Sequence, residues 1–147
     1  IDAGVAHSLI LKSDGSLWAF GRQDNGRLGI SKYGHRSIPS MVVESGVVDI
    51  SAGLHYSLFV KSDGSVWGMG QNSNGQLGVE PEGDQNWPIR VIESSAIRAV
   101  AGRANSSFVI MQDGSLLAFG KNQYGQLGTG RMIRTHIPVT VAERIAE

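Results

Sequence analysis

Ser62-Asp63-Gly64-Ser65-Val66-Trp67-Gly68-Met69-Gly70 stands between two near-copies of itself: Ser13-Asp14-Gly15-Ser16-Leu17-Trp18-Ala19-Phe20-Gly21 before it and Gln112-Asp113-Gly114-Ser115-Leu116-Leu117-Ala118-Phe119-Gly120 after it. Other landmarks keep the same beat. Gly4, Gly53 and Gly102 are 49 residues apart, while Gly29, Gly78 and Gly128, like Pro39, Pro88 and Pro138, are spaced by 49 and then 50. A period of that size belongs to propellers, solenoids and arrays, whose units stack on copies of themselves to bury their apolar faces.

Each copy reads as short strands. Residues 8–12, 57–61 and 107–111 are apolar runs rich in β-branched and aromatic side chains, and each leads into an Asp-Gly pair followed at once by a second apolar strand. Asp14-Gly15, Asp63-Gly64 and Asp113-Gly114 suit a tight hairpin of type I′, in which both central residues take positive φ. A strand ahead of the hairpin, at 48–52 and 98–101, and another led by Pro39, Pro88 or Pro138 complete four per copy. No stretch shows helical periodicity. The expected fold is therefore all-β: four-stranded antiparallel units repeated at about 50 residues, as in the radially stacked blades of a β-propeller. One partial propeller domain is expected over residues 1–147, with repeats at approximately 1–48, 49–97 and 98–147.

The run Gly-His-x-Ser/Thr, Asp-Gly, Trp-x-x-Gly, Asn-x-x-Gly-Gln-Leu-Gly and a Pro-led strand resembles the repeat of the regulator of chromosome condensation family. The second copy carries it most fully, in His55, Ser57, Asp63-Gly64, Trp67, Gly70, Asn72, Gly75-Gln76-Leu77-Gly78 and Pro88. The resemblance covers the whole chain and implies three blades of a seven-bladed ring. Copy one departs with Gln23 for the Asn and Arg27 for the Gln. Copy three departs with Asn105 for the His, Leu117 for the Trp and one extra residue between Gly102 and Asp113, expected to form a strand bulge. The first residues, Ile1-Asp2-Ala3-Gly4, match Ile50-Ser51-Ala52-Gly53 inside the array, so further blades, from the same protein or from other copies of this chain, are expected to cover the two end faces.

Composition narrows the function. Hydrophobic residues make up 41% and charged residues 18% of the chain, the balance of a globular protein. Thirteen basic residues offset 13 acidic ones, so the basic field that captures a phosphate backbone is missing and nucleic acid is a poor partner. The longest apolar runs are far short of the roughly 20 residues of a membrane-spanning helix. With no cysteine there is no disulfide and no thiolate metal site.

No reaction centre emerges from the residues. His7 and His55 are read as one repeated position, taken by Asn105 in the third copy. Because Asn preserves a structural hydrogen bond but neither binds zinc well nor acts as a base, all three are assigned structural roles, with no metal. Asp14, Asp63 and Asp113 sit at equivalent hairpin tips one blade apart, not as a carboxylate pair at hydrolytic spacing. Gly125-Gln126-Leu127-Gly128-Thr129-Gly130 lacks the spacing and the helix of a phosphate-binding loop. Gly26, Gly29, Gly75, Gly78, Gly125 and Gly128 are instead turn residues, with Leu28, Leu77 and Leu127 plugging the gaps between blades. Trp18 and Trp67 are assigned to packing within a sheet face, not to a photoreceptor-type Trp cluster.

What differs between copies is the segment after the Trp strand. Candidate contacts are Lys32, Tyr33, His35 and Arg36 in the first copy and Glu80, Glu82, Asp84 and Trp87 in the second. The third supplies Tyr124, Arg131, Met132, Arg134 and His136. The expectation is a non-enzymatic scaffold without cofactors that presents these loops to a protein partner. The family resemblance implies an alternative, nucleotide exchange on a small GTPase, which needs only differential binding of the nucleotide-free form. A carbohydrate-binding propeller is third, since its aromatics, Tyr33, Trp87 and Tyr124, fall at three different registers.

Overall fold

The computed structural model describes residues 1–31, 34–80 and 83–143. Twelve strands form three sheets among these residues. The first holds β1 (Asp2–Ala3), β2 (His7–Leu11), β3 (Leu17–Gly21) and β4 (Arg36–Val43). The second holds β5 (Val47–Ala52), β6 (Tyr56–Lys61), β7 (Val66–Gly70) and β8 (Gln85–Ile92). The third holds β9 (Ala96–Ala101), β10 (Ser106–Met111), β11 (Leu116–Gly120) and β12 (Thr135–Ala142). Each is an antiparallel meander in chain order. β5 touches both β1 and β9, whereas no comparable contact joins β4 to β8 or β8 to β12, so the sheets converge at their first strands and fan apart at their last. These are three propeller blades.

The central strand of the middle blade shows why the apolar runs are unbroken. β6 is buried along both faces because a blade lies on each side of it. Leu58, Val60, Val66 and Leu77 face the third blade, where they meet Ala99, Val109 and Phe119. Phe59 and Met69 turn the other way, onto Leu9, Leu17, Ala19 and Leu28 of the first blade. Trp67 packs at the margin of that cluster, stacked on Phe59 with ring centroids 6.4 Å apart. At the two ends of the array the corresponding side chains lack a neighbour: Ile10, Trp18 and Phe20 on blade one and Phe108, Ile110 and Leu116 on blade three are only half-buried.

Three local expectations need correction. The Asp-Gly hairpins are not type I′. Gly15 has φ 80°, but Asp14 is not in the left-handed region. Gly15 N donates to Lys12 O at 3.0 Å and Lys12 N to Ser16 O at 3.0 Å, which defines a three-residue loop closed by a glycine bulge. The preceding Ser13 supplies the extra residue that this loop needs. Secondly, Pro39, Pro88 and Pro138 do not lead their strands. Each is the fourth residue of the outermost strand, at a register shift on an edge, where a missing N–H costs no ladder bond.

Finally, the extra residue of copy three is not a strand bulge. Gly4 N and Gly53 N reach the carbonyls of His7 and Tyr56, three residues on, whereas Gly102 N reaches Ser106, four on. The added residue sits in that turn, which Asn105 closes at φ 61°.

Candidate interaction surface

Each blade has a hairpin end and a loop end. At the hairpin end the copies behave alike. Asp14 Oδ1 accepts Ser16 N at 2.9 Å and Ser16 Oγ at 2.6 Å, and that hydroxyl accepts Trp18 Nε1 at 2.9 Å. Asp63, Ser65 and Trp67 repeat the set, and Asp113 with Ser115 repeats it without the indole. The Ser side-chain hydrogen bond, then the backbone one, holds each carboxyl below its usual pKa. Lys12 Nζ lies 3.9 Å from the Trp18 ring centroid and Lys61 Nζ 4.9 Å from that of Trp67. These aspartates are turn formers, each with its Oδ1 committed to the serine two residues on.

At the loop end a buried amide clamps each β3–β4-type connection. Asn72 Oδ1 accepts Leu77 N at 3.0 Å while its Nδ2 donates to Val79 O and Glu80 O. Asn122 accepts Leu127 N at 2.9 Å and donates to Arg131 O at 2.8 Å and Ile133 O at 3.0 Å. Gln23 does the same work in blade one, accepting Leu28 N at 2.9 Å and donating to Ser31 O. The three leucines that follow are fully buried, Leu28 and Leu77 within the two inter-blade cores.

The glycines of the first two clamps sit against the next blade. A Cβ on Gly26 would lie 2.4 Å from Gln85 O, and one on Gly75 2.6 Å from His136 Cα, but one on Gly125 would meet nothing.

Polar stitches cross each junction. His7 Nε2 is 2.8 Å from Ser57 Oγ, which itself donates to Arg27 O at 2.9 Å. The serine's one proton is thereby spent, so the imidazole donates through Nε2–H, which leaves the lone pair of the neutral ring on Nδ1. Burial, followed by the Arg27 and His55 charges, lowers the His7 pKa to about 4. Tyr56 takes the same place at the next junction, with its hydroxyl 2.8 Å from both Ser106 O and Ser107 Oγ; Ser107 Oγ donates to Gln76 O at 2.7 Å. His7 therefore corresponds to Tyr56 and Ser106, not to His55. His55 corresponds to Ala6 and Asn105, whose carbonyls accept the N–H of Gln71, Arg22 and Lys121 respectively. The sequence pairing of the two histidines was one residue out of register.

Arg27 was missed as a site residue. Its side chain is 2% exposed, donates to Asp24 O at 2.8 Å and Asn25 Oδ1 at 2.9 Å, and leaves Nη1 without a hydrogen-bond partner.

The loop candidates separate into held and free. Lys32, Tyr33 and Glu82 lie outside the described residues. His35 Nδ1 accepts Gln23 N at 3.1 Å, and Asp84 accepts Asn25 Nδ2 of the first blade at 2.6 Å. His136 Nε2 meets Glu80 at 2.7 Å, and Arg134 Nη1 donates to Ser73 O at 3.0 Å, so both bridge blades two and three. Arg36, Trp87 and His136 belong to the outer strands instead of loops. Trp87 is 61% and Tyr124 77% exposed, and Arg131 and Met132 are also exposed. Among the described residues no group of His, Asp and Glu has the geometry of a metal site.

Three tandem four-stranded blades, stapled by side chains that reach a Ser of the next blade, define a repeat β-propeller. The regulator of chromosome condensation (RCC1) repeat matches residues 14–60, 63–110 and 113–145, and a second form of that repeat matches residues 47–76. The chain belongs to the regulator of chromosome condensation repeat family. Among solved structures it is similar to human WBSCR16, with 24% identity and a TM-score of 0.82 over 94% of this chain. It is similar also to yeast RCC1 (Prp20) in a complex with Kap60, at 22% identity and TM-score 0.81 over 95%. A third is Prp20p from Saccharomyces cerevisiae, described with its binding to Gsp1p and histones, at 21% and 0.83 over 95%. The chain spans 36%, 36% and 37% of the lengths of those three. No curated protein sequence matches it at comparable stringency.

Proposed function

We propose that the chain is a non-catalytic interaction scaffold whose loop end engages a protein partner. One observation carries this reading. The hairpin ends repeat the same Asp–Ser bonding in every copy, while the loop ends differ from copy to copy in charge, in bonding and in the large side chains they expose. A rigid scaffold with variable loops is the usual division of labour for recognition. A photo-crosslinking residue placed at Met132, on the exposed loop of blade three, should give a discrete adduct in cells, and one placed at Ser62, at the hairpin end, should not. Adducts from Ser62 alone would reverse the assignment.

A second reading, nucleotide exchange on a small GTPase, draws on the similar Prp20p structure described with Gsp1p. It is tested by nucleotide release from a panel of GTPases. Acceleration by the purified chain would establish it, and unchanged release rates would leave the scaffold.

The half-buried faces of blades one and three are proposed to be covered by further blades or by copies of this chain, since apolar sheet faces seek partners.

A further inference from the structure

The loop end of blade three gathers cations that form no ion pair among the described residues. Lys121 N bonds Asn105 O at 2.9 Å, tying Lys121 to the turn that carries Arg103. Asn122, next in the chain, holds the carbonyls of Arg131 and Ile133. Arg103, Lys121 and Arg131 are thus placed at one end of one sheet, and no ion pair reaches any of them among the described residues. Among the described residues, the acidic side chains of this blade, Asp113 and Glu143, stand at the hairpin end. Carboxylates do stand at the other loop ends, where Asp24 pairs with Arg22, Asp84 accepts from Asn25, and Glu80 faces His136. The same connection exposes apolar side chains, with Met132 72% and Ile133 68% exposed. Arg131 and Arg134 also border a groove of about 470 Å³ whose wall includes Ile133 and Val139.

Resting on the scaffold reading, we propose that this patch docks an acidic segment of a protein partner, one with apolar side chains set between its carboxylates. The cations select the sign of the ligand. The exposed apolar cluster selects a polypeptide over a phosphate polymer, because a sugar–phosphate backbone offers nothing to Met132 and Ile133.

The test uses fluorescence anisotropy with a labelled peptide in which glutamates flank leucines, against an oligonucleotide of equal charge. The peptide should bind more tightly than the oligonucleotide. Lys121→Glu with Arg131→Glu should weaken it about tenfold or more, Met132→Ser with Ile133→Ser should weaken it several-fold, and Lys61→Glu at the hairpin end should leave it unchanged. Thermal melting of each variant separates lost binding from lost folding, and Arg103→Glu gives an independent charge reversal. Peptide affinity indifferent to all the charge reversals overturns the proposal, as does an oligonucleotide that binds as tightly as the peptide. A partner that crosslinks to Met132 without charge dependence would defeat this inference and leave the scaffold reading standing.

Discussion

At the scale of single residues, His7 and Arg27 are where this array departs most from its own repeat. His7 fills the place of Tyr56, and Gly4 below it has no Cβ to collide with the ring, as Gly53 has none under Tyr56. The native state holds the neutral imidazole, with its pKa lowered from 6.5 to about 4 by burial and then by the Arg27 and His55 charges, against a smaller opposing pull from Asp2. Between those values the unfolded chain takes up a proton that the native chain refuses. Stability is accordingly complete above pH 6.5 and declines as the pH falls to 4, by about 3 kcal/mol at the limit. Urea melts of wild type and His7→Tyr at successive pH values should show that decline in the first and a much flatter profile in the second, the residue of slope coming from His55, which burial and Arg27 also lower.

Arg27 is a buried guanidinium that, among the described residues, has no carboxylate bonded to it and leaves one nitrogen unpaired. Gln76 and Gln126 in the same position accept the N–H of Asn74 and Tyr124. Arg27→Gln should therefore stabilise the protein, by about 1 kcal/mol, and raise the His7 pKa, both readable from melts and from imidazole NMR shifts.

At the scale of elements, the junction between loop and outer strand is the contact that sets blade spacing. Gly75 and Gly125 share the same backbone, φ 76° and 75°, so Ala pays the same conformational penalty at each. They differ in surroundings: His136 Cα stands 2.6 Å from the would-be Cβ at Gly75, and nothing stands near Gly125. Gly75→Ala should cost about 1–3 kcal/mol more than Gly125→Ala. Equal losses in chemical denaturation would mean that the blades do not pack there as described. This pairing also shows what was legible beforehand. That the Gly-x-Leu-Gly glycines need positive φ follows from their place at a chain reversal. Which of them carry a neighbour's strand depends on a residue about 60 positions away, which no local pattern records.

At the scale of the whole molecule, three blades leave two sheet faces with half-buried apolar side chains, Ile10, Trp18 and Phe20 on one and Phe108, Ile110 and Leu116 on the other. Within the array the equivalent faces meet in closed cores. The chain should therefore self-associate as its concentration rises, and Phe108→Lys should suppress this without unfolding the interior blades. Sedimentation velocity reads both; a mass that is constant with concentration would count against exposed, competent faces.

The four-strand unit, its hairpins and its threefold recurrence follow from the sequence alone, because a repeat of near 50 residues with Asp-Gly turns, strand-length apolar runs and edge prolines repeats the same local physics three times. The same letters placed the aspartates at hairpin tips and the variable residues in long loops, though Arg36, Trp87 and His136 lie in the outer strands instead. Tertiary structure decided the rest. It moved His7 onto the register of Tyr56, since equivalence there is defined by which backbone carbonyl closes a turn and not by residue type. It buried Arg27, held His35 against Gln23 within its own blade, consumed Asp84 and His136 in contacts between blades, and left Arg103, Lys121 and Arg131 without an ion pair among the described residues. Whether a charge is spent or free depends on what the neighbouring blade brings within a few ångströms, and that proximity exists only once the blades are stacked.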